Sequence, residues 1–94
     1  MGHHAREEAL QQIEKDAEAY RAQREAAIRE FAANLTKERA ILDEAEREHG
    51  EQLSDEIAQA RANFHEAERE FYESVEQARN DFDAAVEESR RAIG

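Results

Sequence analysis

Apolar residues recur through this chain at helical spacing, in two long runs. The first places Leu10, Ile13, Ala17, Tyr20, Ile28, Phe31, Leu35, Leu42 and Ala45 at steps of three, four and seven, which gathers them on one face of a helix. Arg24 and Glu38 interrupt that stripe. The second run reads Ile57, Ala60, Phe64, Ala67, Phe71, Val75, Ala78, Phe82, Val86 and Ile93. Its four-residue steps, such as Phe71 to Val75, drift from a strict heptad, so a left-handed coiled coil of uniform pitch is not required. The pattern predicts one all-α domain over about 5–94, with a helix at about 5–49, a turn at about 50–53 and a helix at about 54–93.

The turn is read from "EREHGEQLSDE", Glu46 to Glu56. His49-Gly50 suits a helix C-terminus, with the glycine expected in the left-handed conformation beyond the cap. Ser54 is the expected N-cap of the second helix, and Asp55 and Glu56 complement the positive end of its dipole. Two other readings compete. A single mid-helix glycine costs only about 1 kcal/mol, so one continuous helix is open. A break in "ANLTKE", ending one helix at Asn34 and starting another at Thr36, gives three.

Pairing favours the hairpin. Folding about Gly50–Ser54 sets opposite each other residues whose numbers sum to about 103, which matches large side chains with large ones as a packed layer needs. Leu10 then lies near Ile93, Tyr20 near Phe82, Ile28 near Val75, Phe31 beside Phe71 and Tyr72, and Ala45 near Ile57. Tyr20, Ile28, Phe31, Leu35, Phe64, Phe71, Val75 and Phe82 are the expected core and interaction anchors, with Gly50 and Ser54 setting the turn. Glu25–Arg29, Asp43–Arg47 and Glu87–Arg91 are spaced as i,i+4 ion pairs along a solvated face.

Composition sharpens this picture. Leu, Ile, Val and Phe number fifteen of 94 residues, and the net charge is -11, a combination that warns of disorder. The periodic stripes and the abundance of Ala, Glu, Arg and Gln, which lose little on entering a helix, point instead to long helices. The acidic balance opposes nucleic acid and anionic membranes. A lipid-surface helix would need a basic polar face where this one is acidic. No apolar run approaches the roughly 18 residues of a membrane span, and nothing reads as a signal peptide. The expectation is a soluble chain, cytoplasmic by default. There is no cysteine, hence no disulfide or thiolate chemistry. Residues 1–4, "MGHH", read as a tag remnant, and His3 and His4 are set aside.

Two helices bury one stripe each, little for a chain of this length, and small scaffolds of this kind gain burial by associating. Alanines off the stripe, with Ile41 and Tyr72, offer a second contact surface. A two-fold dimer forming a four-helix bundle, or pairing with another helical protein, is the expected outcome.

Chemistry has less support. Glu46-x-x-His49 puts a carboxylate and an imidazole on one helix face, and in this it is similar to the ligand unit of di-iron carboxylate bundles. It stands at a helix end rather than mid-bundle, where a capping histidine is the simpler role. His65 lies near Glu38 in the expected register, so a contact between them competes with a plainly exposed histidine. The carboxylates lack an enclosing concavity, and no nucleophile set or phosphate-binding glycine loop is present. No catalytic residue and no cofactor are assigned; Glu46 and His49 are the metal candidates.

A chain of about a hundred residues with a central helix–helix turn resembles the small secreted WXG100 proteins, which form helical-hairpin dimers. Tyr72-x-x-x-Glu76 matches the Tyr-x-x-x-Asp/Glu element of their export signal. The Trp-x-Gly turn is absent, with His49-Gly50 in its place, and the tyrosine lies farther from the C-terminus. The likeness is one of fold and is not carried into function. Designed bundles and excised coiled-coil segments share the proline-free grammar, though the irregular stripe here is less idealised than many designs. The sequence therefore leads to a non-enzymatic helical interaction or scaffold protein, with a metal-binding bundle through Glu46 and His49 as the alternative.

Overall fold

The computed structural model describes residues 2–94. Helix α1 spans Gly2–His49 and helix α2 spans Ser54–Ile93, packed as a hairpin, and among the described residues no other regular element occurs. Of the tag-like positions, Met1 lies outside the described residues, whereas Gly2, His3 and His4 belong to α1. His3 Nε2 lies 3.6 Å from the Glu7 carboxylate one turn on.

α1 does not break at Asn34. The Thr36 hydroxyl donates back to the Ala32 carbonyl at 3.2 Å, so its polar atom is absorbed within the helix rather than starting a new one. The C-terminus of α1 carries Arg47 and His49, and the first turn of α2 carries Asp55 and Glu56, each matched to the local dipole end.

The turn differs from expectation at both named residues. No glycine among the described residues has positive φ. Gly50 is needed for close approach instead: its N–H donates to the Glu46 carbonyl at 2.9 Å, and a Cβ at this position would collide with that same oxygen. The His49 carbonyl accepts from both Gln52 (3.1 Å) and Leu53 (2.8 Å), which closes the reversal. Ser54 is already helical, and the carbonyl that accepts the first α2 hydrogen bond, from Ile57 at 2.9 Å, belongs to Leu53. The cap position is therefore Leu53, one residue earlier than the serine reading placed it.

Two compact units divide the chain, one built from 1–27 with 76–94 and the other from Ile28–Val75. In the first, Ala17 and Val86 are buried. Tyr20 stacks on Phe82 with ring centroids 4.6 Å apart, and Glu14 pairs with Arg90. In the second, Leu35, Ile57, Phe64 and Val75 are buried, and Phe31 stacks on Phe71 at 4.3 Å. Of the pairings read from the sequence, Tyr20–Phe82 and Phe31–Phe71 form.

Burial along α2 recurs every eleven residues: Phe64, Val75 and Val86 are buried, and Ala60, Phe71, Phe82 and Ile93 are half-buried. Half-buried Glu68, Arg79 and Arg90 form a third column at the same interval. On α1, Leu10, Arg21, Ala32 and Asp43 recur likewise, as do Ile13, Arg24 and Leu35. Eleven residues make three turns at about 3.67 residues per turn, so the stripe stays on one face of each helix without heptad over-winding.

The eight expected anchors do not share one environment. Leu35, Phe64 and Val75 are buried; Ile28, Phe71 and Phe82 are half-buried. Tyr20 and Phe31 remain 51% and 48% exposed, so they are not core residues. A layer of two helices covers each ring from one side and leaves its other face to solvent.

Candidate interaction surface

The two units carry polar ladders and apolar grooves on different residues. In the first unit, Arg21 donates to Asp83 at 2.9 Å, and Arg79 Nε donates to Glu25 at 3.1 Å. In the second, Arg39 donates to Glu68 at 2.6 Å, and Arg61 holds both Asp43 (2.7 Å) and Glu46 (2.9 Å). These arginines reach across to the other helix where i,i+4 partners were expected. Glu25 is taken by Arg79 rather than Arg29, and Asp43 by Arg61 rather than Arg47, which pairs with Glu44 instead. Of the three expected pairs, Glu87–Arg91 forms, at 3.8 Å. The Arg79 hydrogen bond holds the Glu25 carboxyl below its ordinary pKa, against a smaller opposing effect of desolvation, and Arg24 adds to the lowering. Arg47 acts on Glu44 in the same direction.

Arg24, which interrupts the first stripe, folds its guanidinium 5.7 Å from the centre of the Phe82 ring. Its Nε donates to Glu25 at 3.2 Å, whereas Nη1 is buried without a partner. The long alkyl stem explains how an arginine occupies a stripe position: it covers apolar surface while the head seeks charge.

Each unit also presents a shallow open groove. That of the first encloses about 420 Å³ and is lined by Ile13, Asp16, Ala17, Tyr20, Phe82 and Val86 among others. That of the second encloses about 400 Å³, lined by Glu38, Ile41, Leu42, Ala60, Phe64 and Ala67 with Asn63. The two are built from equivalent positions twenty-two residues apart, two of the eleven-residue intervals: Asp16 corresponds to Glu38, Tyr20 to Leu42, Phe82 to Ala60 and Val86 to Phe64. None of the ladder residues lines either groove. Ile41, 67% exposed, is the most open large apolar side chain of the second unit.

No family model, curated protein or solved structure matches the chain.

The metal candidates are drawn into other contacts. Glu46 is held by Arg61, and His49 Nε2 lies 3.7 Å from the Glu48 carboxylate. Among the described residues no group of three or more His, Cys, Asp or Glu side chains converges as a metal site would require. His65 does not meet Glu38. Its Nδ1 lies 3.6 Å from Glu68 on its own helix, and its ring meets Phe64 edge-on. Glu38 lines the second groove instead, and among the described residues it makes no ion pair. No helix among the described residues is long and apolar enough to cross a membrane.

Sequence reasoning did not single out Lys15, Asp16 or Lys37. The signal was present: the chain has just two lysines, twenty-two residues apart, and each is followed by an acid, Lys15-Asp16 and Lys37-Glu38.

Proposed function

We propose that this chain is a non-enzymatic helical interaction protein that works by associating through its grooved surface into a four-helix bundle. The observation that carries the reading is the area left uncovered. The chain exposes 7295 Å². A compact folded chain of 10.8 kDa is expected to expose about 5,500 Å². The excess is larger than the roughly 800 Å² that each partner buries in a standard interface. Five large apolar side chains, Tyr20, Phe31, Ile41, Leu53 and Tyr72, stand among the exposed residues, as many as the five that are buried, Leu35, Ile57, Phe64, Val75 and Val86.

The chemistry of the surface supports binding rather than catalysis. The grooves are wide open, so they do not strip water from a carboxylate, and their walls are mostly apolar, with one acid each and Ser89 or Asn63 beside it. Both carboxylates with lowered pKa are stabilised in their charged form by arginines, the opposite of what a general acid at neutral pH needs.

Sedimentation equilibrium and thermal melting from micromolar to millimolar concentration test the reading. Association raises the mass above 10.8 kDa and makes Tm rise with concentration. A mass fixed at one chain with an unchanging Tm would sink it.

A further inference from the structure

We infer that the groove of the second unit docks an amphipathic helix of another protein, apolar on one face and edged with Lys or Arg. This goes beyond the association proposed above and does not depend on it. The two grooves share a plan, but the charge around them differs. Along α2, Glu56, Asn63 and Glu70 follow one another at seven-residue steps, about two helical turns each, so they fall on one edge of the helix. Asn63 lines the groove, which sets Glu56 and Glu70 toward its two ends. Twenty-two residues on, the first unit has Ala78 and Ala92 at the corresponding positions. The flanking acids therefore belong to the second groove and not to the repeat.

Glu38 adds a third carboxylate from α1. All three are exposed, and among the described residues none makes an ion pair. Neighbouring arginines are engaged elsewhere: Arg39 and Arg61 are held by Glu68, Asp43 and Glu46, and Arg47 and Arg69 by acids of their own helices. Lys37, one turn before Ile41, leaves the local excess acidic. A second copy carries a net charge of -11 and meets these acids with repulsion, whereas a basic partner is attracted.

Apolar contact supplies the rest of the fit. Ile41, 67% exposed, is covered when a helix lies along the groove, and Ala60 lets that helix approach closely. Glu56 and Glu70 stand about 21 Å apart along α2. Glu38 falls on the opposite side, near the midpoint, in the register that pairs Phe31 with Phe71. A fitting helix thus carries two cations about fourteen residues apart on one edge and a third midway along the other.

Fluorescence anisotropy with a labelled synthetic peptide of about 20 residues tests this. The peptide has a Leu stripe, Lys at those three positions, and Ala and Gln elsewhere; its twin has Glu in place of Lys. The Lys peptide should bind the full chain and the Glu peptide should not. Glu38→Gln with Glu70→Gln should weaken binding roughly fivefold. Glu18→Gln with Glu88→Gln removes the same charge from exposed positions of the first unit and should leave binding unchanged. Circular dichroism verifies that each variant stays helical.

Ile41→Asp is the decisive arm. It makes the chain more acidic, so bulk attraction alone predicts tighter binding, whereas loss of the apolar contact should weaken it roughly tenfold. No binding of the Lys peptide, equal losses from the two Gln pairs, or tightening by Ile41→Asp overturns the proposal. So does self-association that Ile41→Asp abolishes in the absence of peptide, because the groove is then filled by a second copy.

Discussion

Phe31 and Phe71 stack with ring centroids 4.3 Å apart and planes inclined by 21°, although Phe31 is 48% exposed. The pair joins the two helices of its unit through a partly solvated contact, and the Tyr72 ring meets Phe71 edge-on with centroids 5.0 Å apart. Stacked aromatics contribute beyond their buried area. A double-mutant cycle of Phe31→Ala and Phe71→Ala, read by urea unfolding, should give a coupling of about 1 kcal/mol. Strictly additive losses would mean that the rings do not meet in solution.

Glu25 should make stability depend on acid. Its folded pKa is lowered, first by the hydrogen bond from Arg79. Its contribution is therefore fully present above the ordinary glutamate pKa and is lost as pH falls through the lowered folded value. Glu25→Gln should be less stable than wild type at neutral pH, and the difference should close under strongly acid conditions. A difference independent of pH would assign the effect to packing instead of charge.

Gly50→Ala should destabilise the fold by about 1–2 kcal/mol, because the added methyl meets the Glu46 carbonyl, a backbone atom that cannot step aside cheaply. Ser54→Ala should cost under about 0.5 kcal/mol, since Ser54 is the first residue of α2 and not its cap. Chemical denaturation of the two variants side by side checks the pair. The reverse order of losses would return the cap to Ser54.

Arg24→Leu should stabilise the protein by about 1 kcal/mol. The change removes a buried donor without a partner and continues the interrupted stripe with a shorter, wholly apolar side chain. A lower melting temperature would show that the guanidinium over Phe82, with its bond to Glu25, outweighs the orphaned Nη1.

Much of the fold was legible because it rests on matched spacing. The hairpin, the site of reversal and the pairings Tyr20–Phe82 and Phe31–Phe71 follow from placing large residues opposite large ones. What escaped was set by charged residues behaving as apolar ones. Arg21, Arg24, Glu68, Arg79 and Arg90 occupy half-buried stripe positions by covering them with their stems, so the apolar letters alone look like a drifting heptad. The loop escaped for a different reason. Glycine and serine are ambiguous between several turn chemistries, and hydrogen bonds to the His49 carbonyl decide which is used. For the candidate surface, Ile41 and the alanines were visible as off-stripe residues. The equivalence of the two grooves needed the eleven-residue interval first.

That interval has a consequence for how such a chain can change length. Because the helices run antiparallel, inserting or deleting eleven codons in one arm keeps its pattern in phase, provided the other arm changes by the same amount. An indel of one or two residues rotates every later side chain by about 100–200° around the axis and brings charges inward. Families of this architecture should therefore grow or shrink by paired whole modules, and a lone one- or two-residue slip should be purged.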